Sequence, residues 1–438
     1  MKSVSLTFDG VMKPKTEDSK PPYHPSLNYL RFLRRHRCPS SSLLLLAALL
    51  ASFSILLFFF SSSSSSFLAH RLPSSSSSTP PFGGRDWERQ VRSSARPRAR
   101  NLTVLVTGAA GFVGAHACLA LRRRGDGVLG LDSFAPSYYD PSLKRSRQAL
   151  LLRHGVFVVD GDLNNPQLLA KVFDVAPAFT HVLHLAAQPG VRHALRRDPS
   201  PYVSSNVAAL VSLLERIKNA DPMPALVWAS SSSVYGLNSP VGPSSESDRT
   251  DRPASLYAAT KKAGEEITHA YNHIYGVSVT ALRLFSVYGP WGRPDMAYYS
   301  FTRDILRGRP VKVYEGSVRD FTYVNDIVRG CLAALDTAKG STGSGGRKRG
   351  NAEMRTYNLG SATPVPVAEL VDVLERVLGV KAVRKVVPMP RNGDVLFTHA
   401  NITLARRDLG YEPATDLKTG LKRFVRWYRS YYTIKKNS

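Results

Sequence analysis

Cysteine is almost absent. Cys38, Cys118 and Cys331 are the only thiols in 438 residues, too few and too scattered for a disulfide framework or a thiolate metal site. Stability must come from packing, although Cys38, beside an apolar run, also suits palmitoylation. His181 and His184 fit the faces of a strand better than a metal site, and no metal is expected. Acidic residues are scarce too: 33 Asp and Glu stand against 59 Lys and Arg, a formal net charge of +26. Such a field attracts anions, but its distribution argues against nucleic acid. Arg31, Arg34, Arg35 and Arg37 flank an apolar run, six arginines fall between Arg85 and Arg100, and Arg347, Lys348 and Arg349 form a third cluster. None has the interleaved aromatics or base-reading motif of a nucleic-acid binder.

Charge is missing altogether from Leu43 to Phe60. As a helix rising about 1.5 Å per residue this run would be about 27 Å long, enough for a thin membrane of the early secretory route. A signal peptide normally has a shorter apolar region and a shorter leader before it. Arginines precede the run and serines follow it, so residues 1–42 are expected as a cytosolic tail, 43–60 as a single transmembrane helix, and the remainder as lumenal. The Ser, Pro, Gly and Arg composition of 61–100 predicts a flexible stem. Asn101-Leu102-Thr103 and Asn401-Ile402-Thr403 match the glycosylation sequon, but the first opens a strand, which argues against its occupancy.

After the stem the chain alternates between apolar β-rich runs and helical stretches, the pattern of a doubly wound parallel sheet. Leu102 to Val106 reads as a strand and TGAAGFVGAHACLALRRRG as a glycine turn followed by a helix that ends near Gly125. Gly108, Gly111 and Gly114 let the backbone approach a pyrophosphate and set the helix N-terminus on the anion. A second strand ends in Asp132, eighteen residues after Gly114, where a ribose acceptor belongs. A carboxylate there repels a 2′-phosphate and favours NAD over NADP. Further strands end in Gly161-Asp162-Leu163 and in Ala186-Ala187-Gln188, so Asp162 suits an adenine contact and Ala186 and Ala187 the nicotinamide ribose. We therefore expect a Rossmann-type NAD-binding domain over 101–285 and a smaller subdomain over 286–438, partly interleaved with its sheet.

A strand over Leu226–Ala229 delivers four hydroxyls, Ser230 to Ser233. Tyr257 and Lys261 follow, four residues apart and hence on one helix face. A free tyrosine has a pKa of about 10, so service as a base near neutrality needs a drop of roughly 3 units, about 4 kcal/mol. A neighbouring ammonium and an oxidised nicotinamide can supply it. The order of dinucleotide turn, serine strand end and YxxxK is far more specific than any of the three alone.

The strings GAAGFVG, HLAAQPGVR, ASSSSVYG, LYAATKKAGEE, LFSVYGPWGRPDMA, RDFTYV and MPRNGDV together resemble the plant UDP-glucuronate 4-epimerases over about 103–432. That resemblance implies tightly held NAD, a nucleotide-sugar-binding role for the subdomain 286–438, a homodimer built on helices over 201–219 and 256–275, and a single-pass type II Golgi membrane protein. It implies that Tyr257 takes the proton of the sugar 4-hydroxyl as the C4 hydride leaves, that Lys261 holds the nicotinamide ribose and tunes Tyr257, and that Ser231 bonds the 4-oxygen. Phe112, Val113, Leu163 and Asn206 join the implied cofactor contacts. Arg293, Arg319, Arg391 and Asp394 join the implied substrate contacts, with Arg319 and Arg391 on the diphosphate, which guanidinium forks suit.

Relatives that decarboxylate or dehydrate usually carry Glu, or Asp-Glu, just after the catalytic hydroxyl; here Ser232 and Ser233 stand there. Missing that carboxyl group disfavours chemistry at C5 and C6. With Ser286, these serines are the expected contacts of a substrate carboxylate. UDP-glucose 4-epimerase and UDP-glucuronate decarboxylase are the alternatives within this class. A silent NAD-binding scaffold is the alternative outside it, disfavoured because Tyr257 and Lys261 are both present. The stretch from Gly340 to Gly350 reads as a mobile surface loop without an assigned function.

Overall fold

The computed structural model describes residues 82–98, 101–136, 139–191, 198–238, 242–389 and 393–436. The expected tail, the apolar run 43–60, most of the stem, Cys38 and Arg391 lie outside these residues. Among the described residues no helix is long and apolar enough to cross a membrane.

In chain order the first half comprises α1 (Arg85–Ala95), β1 (Thr103–Thr107), α2 (Phe112–Arg124), β2 (Gly127–Asp132), α3 (Ser142–Arg153), β3 (Phe157–Asp160), α4 (Pro166–Val175) and β4 (His181–His184). A short α5 (Ser200–Val203) passes through a π-helical turn, Ser204–Ala208, into α6 (Ala209–Lys218), followed by β5 (Ala225–Ser231), α7 (Leu256–Tyr275) and β6 (Val279–Leu284). The second half adds β7 (Ser286–Tyr288), α8 (Ala297–Leu306), β8 (Val311–Tyr314), β9 (Val318–Tyr323), α9 (Val324–Thr337), β10 (Gly343–Ser344), β11 (Arg347–Lys348) and β12 (Met354–Leu359). It closes with β13 (Pro364–Pro366), α10 (Val367–Leu378), β14 (Arg384–Val387), α11 (Thr403–Leu409) and α12 (Leu417–Lys436).

Seven strands form one sheet in the order β12-β6-β5-β4-β1-β2-β3, every pair parallel. Helices cover both faces, so the strands are continuous apolar runs. Along β1, Val104 and Val106 enter one core cluster and Leu105 the other, as the two-residue period of a strand requires. The connection reverses between β1 and β4, and strand carboxyl ends at such a switch point open a crevice. The expected doubly wound sheet is present, and its edge strand β12 comes from the second half of the chain. Small sheets, β13-β9-β7 and β14-β8, carry the C-terminal subdomain over that crevice.

Two expectations are corrected. The stem is not irregular up to residue 100, because α1 buries Val91, Ser94 and Ala95. Composition hid it: RDWERQVRSSA is mostly polar, but Trp87, Val91 and Ala95 recur every four residues and share a helix face. Ser94 Oγ donates to the Val128 carbonyl at 2.5 Å and accepts from the Phe157 amide at 2.8 Å, bonding α1 to both β2 and β3. The stretch 340–350, expected as a mobile surface loop, contains regular structure. It folds as the β10-β11 hairpin against the end of α7, where the Thr342 amide donates to the Gly276 carbonyl at 2.8 Å and Lys348 Nζ to the His273 carbonyl at 2.9 Å. Terminal helix carbonyls lack intrahelical partners and favour a cation.

Both sequons engage their asparagines in the fold. Asn101 Nδ2 donates to the Arg124 carbonyl at 3.1 Å, and Asn401 Nδ2 to Ser245 Oγ at 3.0 Å.

Candidate active site

The site begins with the turn between β1 and α2. Gly108 has φ +69, and a Cβ there would lie 2.7 Å from the Ala186 amide nitrogen. A Cβ on Gly111 or Gly114 would lie 2.8 Å or 2.1 Å from the Gly108 carbonyl oxygen. Only glycine allows this closeness. Helix α2 starts without a side-chain cap, which leaves its first-turn amides for an anion. Thus the turn fits a dinucleotide diphosphate.

Asp132, at the end of β2, is buried and accepts from the Ala110 amide at 3.1 Å, the Phe134 amide at 2.9 Å and Lys144 Nζ at 2.9 Å. Lys144, on α3, gave no sequence signal.

These groups open into one cleft of about 990 Å³. Its cofactor end is lined by Gly108, Gly111, Phe112, Val113, Gly114, Asp132, Asp162, Leu163, Ala186 and Ala187; its middle by Ser231, Ser232, Ser233, Tyr257 and Lys261; its far end by Ser286, Arg293, Arg319 and Asp394. Asn206 is not brought into it. Its side chain is buried, donating to the Gln188 carbonyl at 3.1 Å and Thr260 Oγ1 at 3.0 Å while accepting from the Gln188 amide at 2.7 Å. It braces the end of β4 against α7.

Helix α7 starts where the Ser255 side chain accepts from the Ala258 amide at 3.1 Å. The cap fixes the first turn and with it Tyr257, whose phenol the Ser231 hydroxyl helps hold down. Ser231 Oγ in turn donates to Ser233 Oγ at 3.1 Å and accepts from the Ser233 amide at 3.2 Å. Lys261, one turn on, is buried, and its Nζ donates to the Ala229 carbonyl at 2.8 Å.

Electrostatics depart from expectation here. Burial raises the Tyr257 phenol above its ordinary value, opposed by the Arg293 charge and the Ser231 hydrogen bond. Desolvation of the phenolate outweighs both. Burial also lowers Lys261 to about 8, against the Glu265 carboxylate, which raises it. Arg293 therefore acts electrostatically on Tyr257, an effect that sequence spacing could not reveal, since 36 residues separate the two. Arg293 itself pairs with Asp295 at 2.7 Å.

Behind the hydroxyls lies a buried polar network. Glu265 accepts Ser230 Oγ at 2.6 Å and grips Arg283 twice, at 2.9 Å for each oxygen. Arg283 donates to the Tyr235 hydroxyl at 3.2 Å, and that hydroxyl to Asn358 Oδ1 at 2.7 Å. Glu265 stands four residues after Lys261, so helical spacing could have placed it on the same face. Among the described residues no cluster of His, Cys, Asp and Glu could hold a metal ion.

At the far end, Arg319 Nη1 donates to the Val318 and Leu396 carbonyls, each at 2.9 Å. Its guanidinium and Arg293 give that end positive charge, suited to a diphosphate.

A family model, the NAD dependent epimerase/dehydratase family, matches residues 104–360. UDP-glucuronate 4-epimerase 3 of Arabidopsis thaliana is 66% identical over 357 residues, covering 80% of this chain and 82% of that protein. Protein CapI of Staphylococcus aureus is 39% identical over 339 residues, 76% of this chain and 99% of that protein. Among solved structures, UDP-glucuronic acid 4-epimerase from Bacillus cereus with UDP-glucuronic acid and NAD superposes with a TM-score of 0.67 at 32% identity, over 75% of this chain and 99% of that one. By sequence and by structure alike, this chain belongs to the NAD dependent epimerase/dehydratase family, among the UDP-glucuronate 4-epimerases.

Proposed function

We propose that this protein inverts C4 of UDP-glucuronate, forming UDP-galacturonate reversibly. The observation that carries the reading is the arrangement of Tyr257, Ser231 and Lys261 in one cleft between a dinucleotide turn and an arginine-bearing far end. NAD, which the Gly108–Gly114 turn and Asp132 would hold, would supply reversible hydride chemistry by way of a 4-keto sugar, with no net redox change.

The protein's own groups do the rest. Tyr257 takes the 4-hydroxyl proton and gives one back, while Ser231 holds the 4-oxygen and steadies the phenol. Lys261, pinned by Ala229, adds positive charge beside the nicotinamide ribose, and Arg293 favours the phenolate. Arg319 and Asp394 hold the UDP end. Ser232, Ser233 and Ser286 give the sugar carboxylate hydroxyl donors instead of a like charge, consistent with epimerisation of an acid rather than its decarboxylation. We further propose a homodimer built on the helices over 201–219 and 256–275, supported by the family resemblance, and a lumenal catalytic domain anchored in the Golgi membrane by residues 43–60, supported by the charge-free run with arginines before it and serines after it.

Incubating the purified protein with UDP-glucuronate tests the assignment. UDP-galacturonate is expected; UDP-xylose with carbon dioxide, or conversion of UDP-glucose alone, would replace it with another activity.

A further inference from the structure

Arg147, on α3, is wholly buried and has no role in the chemistry above. Its guanidinium uses all five N–H groups, the full complement of the side chain. Nε and Nη2 donate to the Trp291 carbonyl at 3.1 and 2.6 Å, and Nη2 also to the Gly292 carbonyl at 3.1 Å. Nη1 donates to the Ala110 carbonyl at 3.0 Å and the Tyr139 hydroxyl at 2.9 Å. Each of these partners is neutral.

That grip joins the two halves of the cleft. Ala110 lies inside the glycine turn, and its amide bonds Asp132. Trp291 and Gly292 lead directly into Arg293, whose charge acts on Tyr257. Trp291 has φ +60, a region that bulky side chains rarely occupy and that persists only when its surroundings impose it. Its ring packs 5.2 Å from Trp427 and 5.4 Å from Tyr431, centroid to centroid. A Cβ on Gly292 would fall 1.8 Å from the Tyr298 hydroxyl. So the loop is held by aromatics on one side and by Arg147 on the other. Two more α3 residues tie the same parts together: Lys144 to Asp132 at 2.9 Å, and Ser146 Oγ to the Tyr431 hydroxyl at 3.2 Å.

We propose that Arg147 is a positioning residue that couples the dinucleotide turn to the substrate loop, so that NAD and the UDP-sugar strengthen each other's binding and Arg293 is held beside Tyr257. The proposal rests on the NAD and UDP-sugar reading of the cleft. Its physical basis is that neither loop can move alone without stranding donors of a buried cation, which is costly. A lysine would not substitute, because a point charge with three donors cannot reach the Ala110 and Trp291 carbonyls in the planar fork of a guanidinium.

The test uses holoenzyme and the variants Arg147→Lys and Arg147→Met. Loss of bound dinucleotide over a fixed dialysis is measured with and without saturating UDP. In the wild type UDP should slow the loss at least about fivefold, the low end of ordinary coupling between sites. In both variants that protection should fall to nearly none. The low-pH limb of the kcat profile should also move to higher pH, as Arg293 leaves Tyr257.

A merely structural arginine would lower the melting temperature and leave the protection ratio and the limb unchanged; that result overturns the proposal. Absence of protection in the wild type overturns it without any variant, so a variant that fails to fold does not rescue it. Holoenzyme that carries no dinucleotide would instead sink the cofactor reading, and the inference with it.

Discussion

Lys261 donates its ammonium to the Ala229 carbonyl at 2.8 Å, which ties the helix carrying Tyr257 to the strand carrying Ser231. The bond holds a charge that burial disfavours: Lys261 lies near 8, well below a free lysine. Below pH 8 the group is charged in both folded and unfolded chains, so the folded state bears the full net penalty, desolvation less the Glu265 attraction, about 3 kcal/mol. Between pH 8 and about 10.5 the folded state loses its proton first and the penalty fades as pH rises. Lys261→Met removes the penalty but also the bond to Ala229, worth about 1 kcal/mol. At pH 7 the variant should resist urea better by about 2 kcal/mol, with the advantage gone by pH 10 and activity abolished. A variant less stable than wild type at pH 7 would contradict a charged, desolvated Lys261.

Tyr257→Phe removes the proton acceptor and keeps the ring. General acid–base catalysis contributes about 100- to 10,000-fold, and kcat should fall by that factor while KM and dinucleotide content hold within a few fold. Burial raises the phenol, so wild-type activity should climb with pH as it ionises. Arg293 lowers it, so Arg293→Met should shift the climbing limb to higher pH. A pH profile of kcat for both proteins reads this directly.

Local chemistry was legible in the sequence wherever one short segment carried it. The glycine turn, Asp132, the serine strand end and the Tyr257–Lys261 pair all lie where strand and helix periodicity placed them, because sheet order forces strand carboxyl ends into one crevice. What stayed hidden is long-range: Arg293 acting on Tyr257, Arg147 reaching Trp291, and α1 packing under β2. Asn206 shows the converse limit, since the family resemblance implied a cofactor contact and only the structure reveals its amide bonded to Gln188 and Thr260. No spacing encodes such contacts, which depend on how a later segment folds back over an earlier one.

Ser233 stands where relatives with other chemistry carry a carboxylate, and it lines the cleft beside Ser231. Ser233→Glu should raise KM for UDP-glucuronate about tenfold or more, since a like charge within a few ångströms costs over 1 kcal/mol in a partly desolvated site. The KM for UDP-glucose, which has no carboxylate, should change far less. Equal effects on both sugars would remove Ser233 from the carboxylate site.

Glu265 and Arg283 form a buried bidentate pair that also holds Ser230, next to the reactive Ser231. Glu265→Gln leaves Arg283 buried without a counter-charge, at a cost of about 3 to 5 kcal/mol. Replacing both at once, Glu265→Leu with Arg283→Met, should recover most of that loss, since a well-packed apolar pair avoids the desolvation penalty. Urea unfolding of the three proteins decides between a charge pair and simple packing: additive losses would exclude the pair. The double variant should still turn over more slowly, because Ser230 no longer has the Glu265 carboxylate.

Helix α1 is the part of the fold that composition argued against, and its worth can be measured. Ser94 Oγ satisfies a carbonyl of β2 and an amide of β3 at once, and the first residue of β2 has no room for anything but glycine: a Cβ on Gly127 would lie 1.9 Å from the Ala95 carbonyl oxygen. Ser94→Ala removes the partner of one buried and one half-buried group, at about 1 to 3 kcal/mol. A chain beginning at residue 101 loses these bonds together with the burial of Val91 and Ala95, and should unfold at lower urea than a chain beginning at residue 78, with KM for UDP-glucuronate unchanged because α1 contributes nothing to the cleft. Equal unfolding midpoints for the two chains would return α1 to the stem as an ornament of it, and an altered KM would mean that the underside of the sheet communicates with the crevice at its other end.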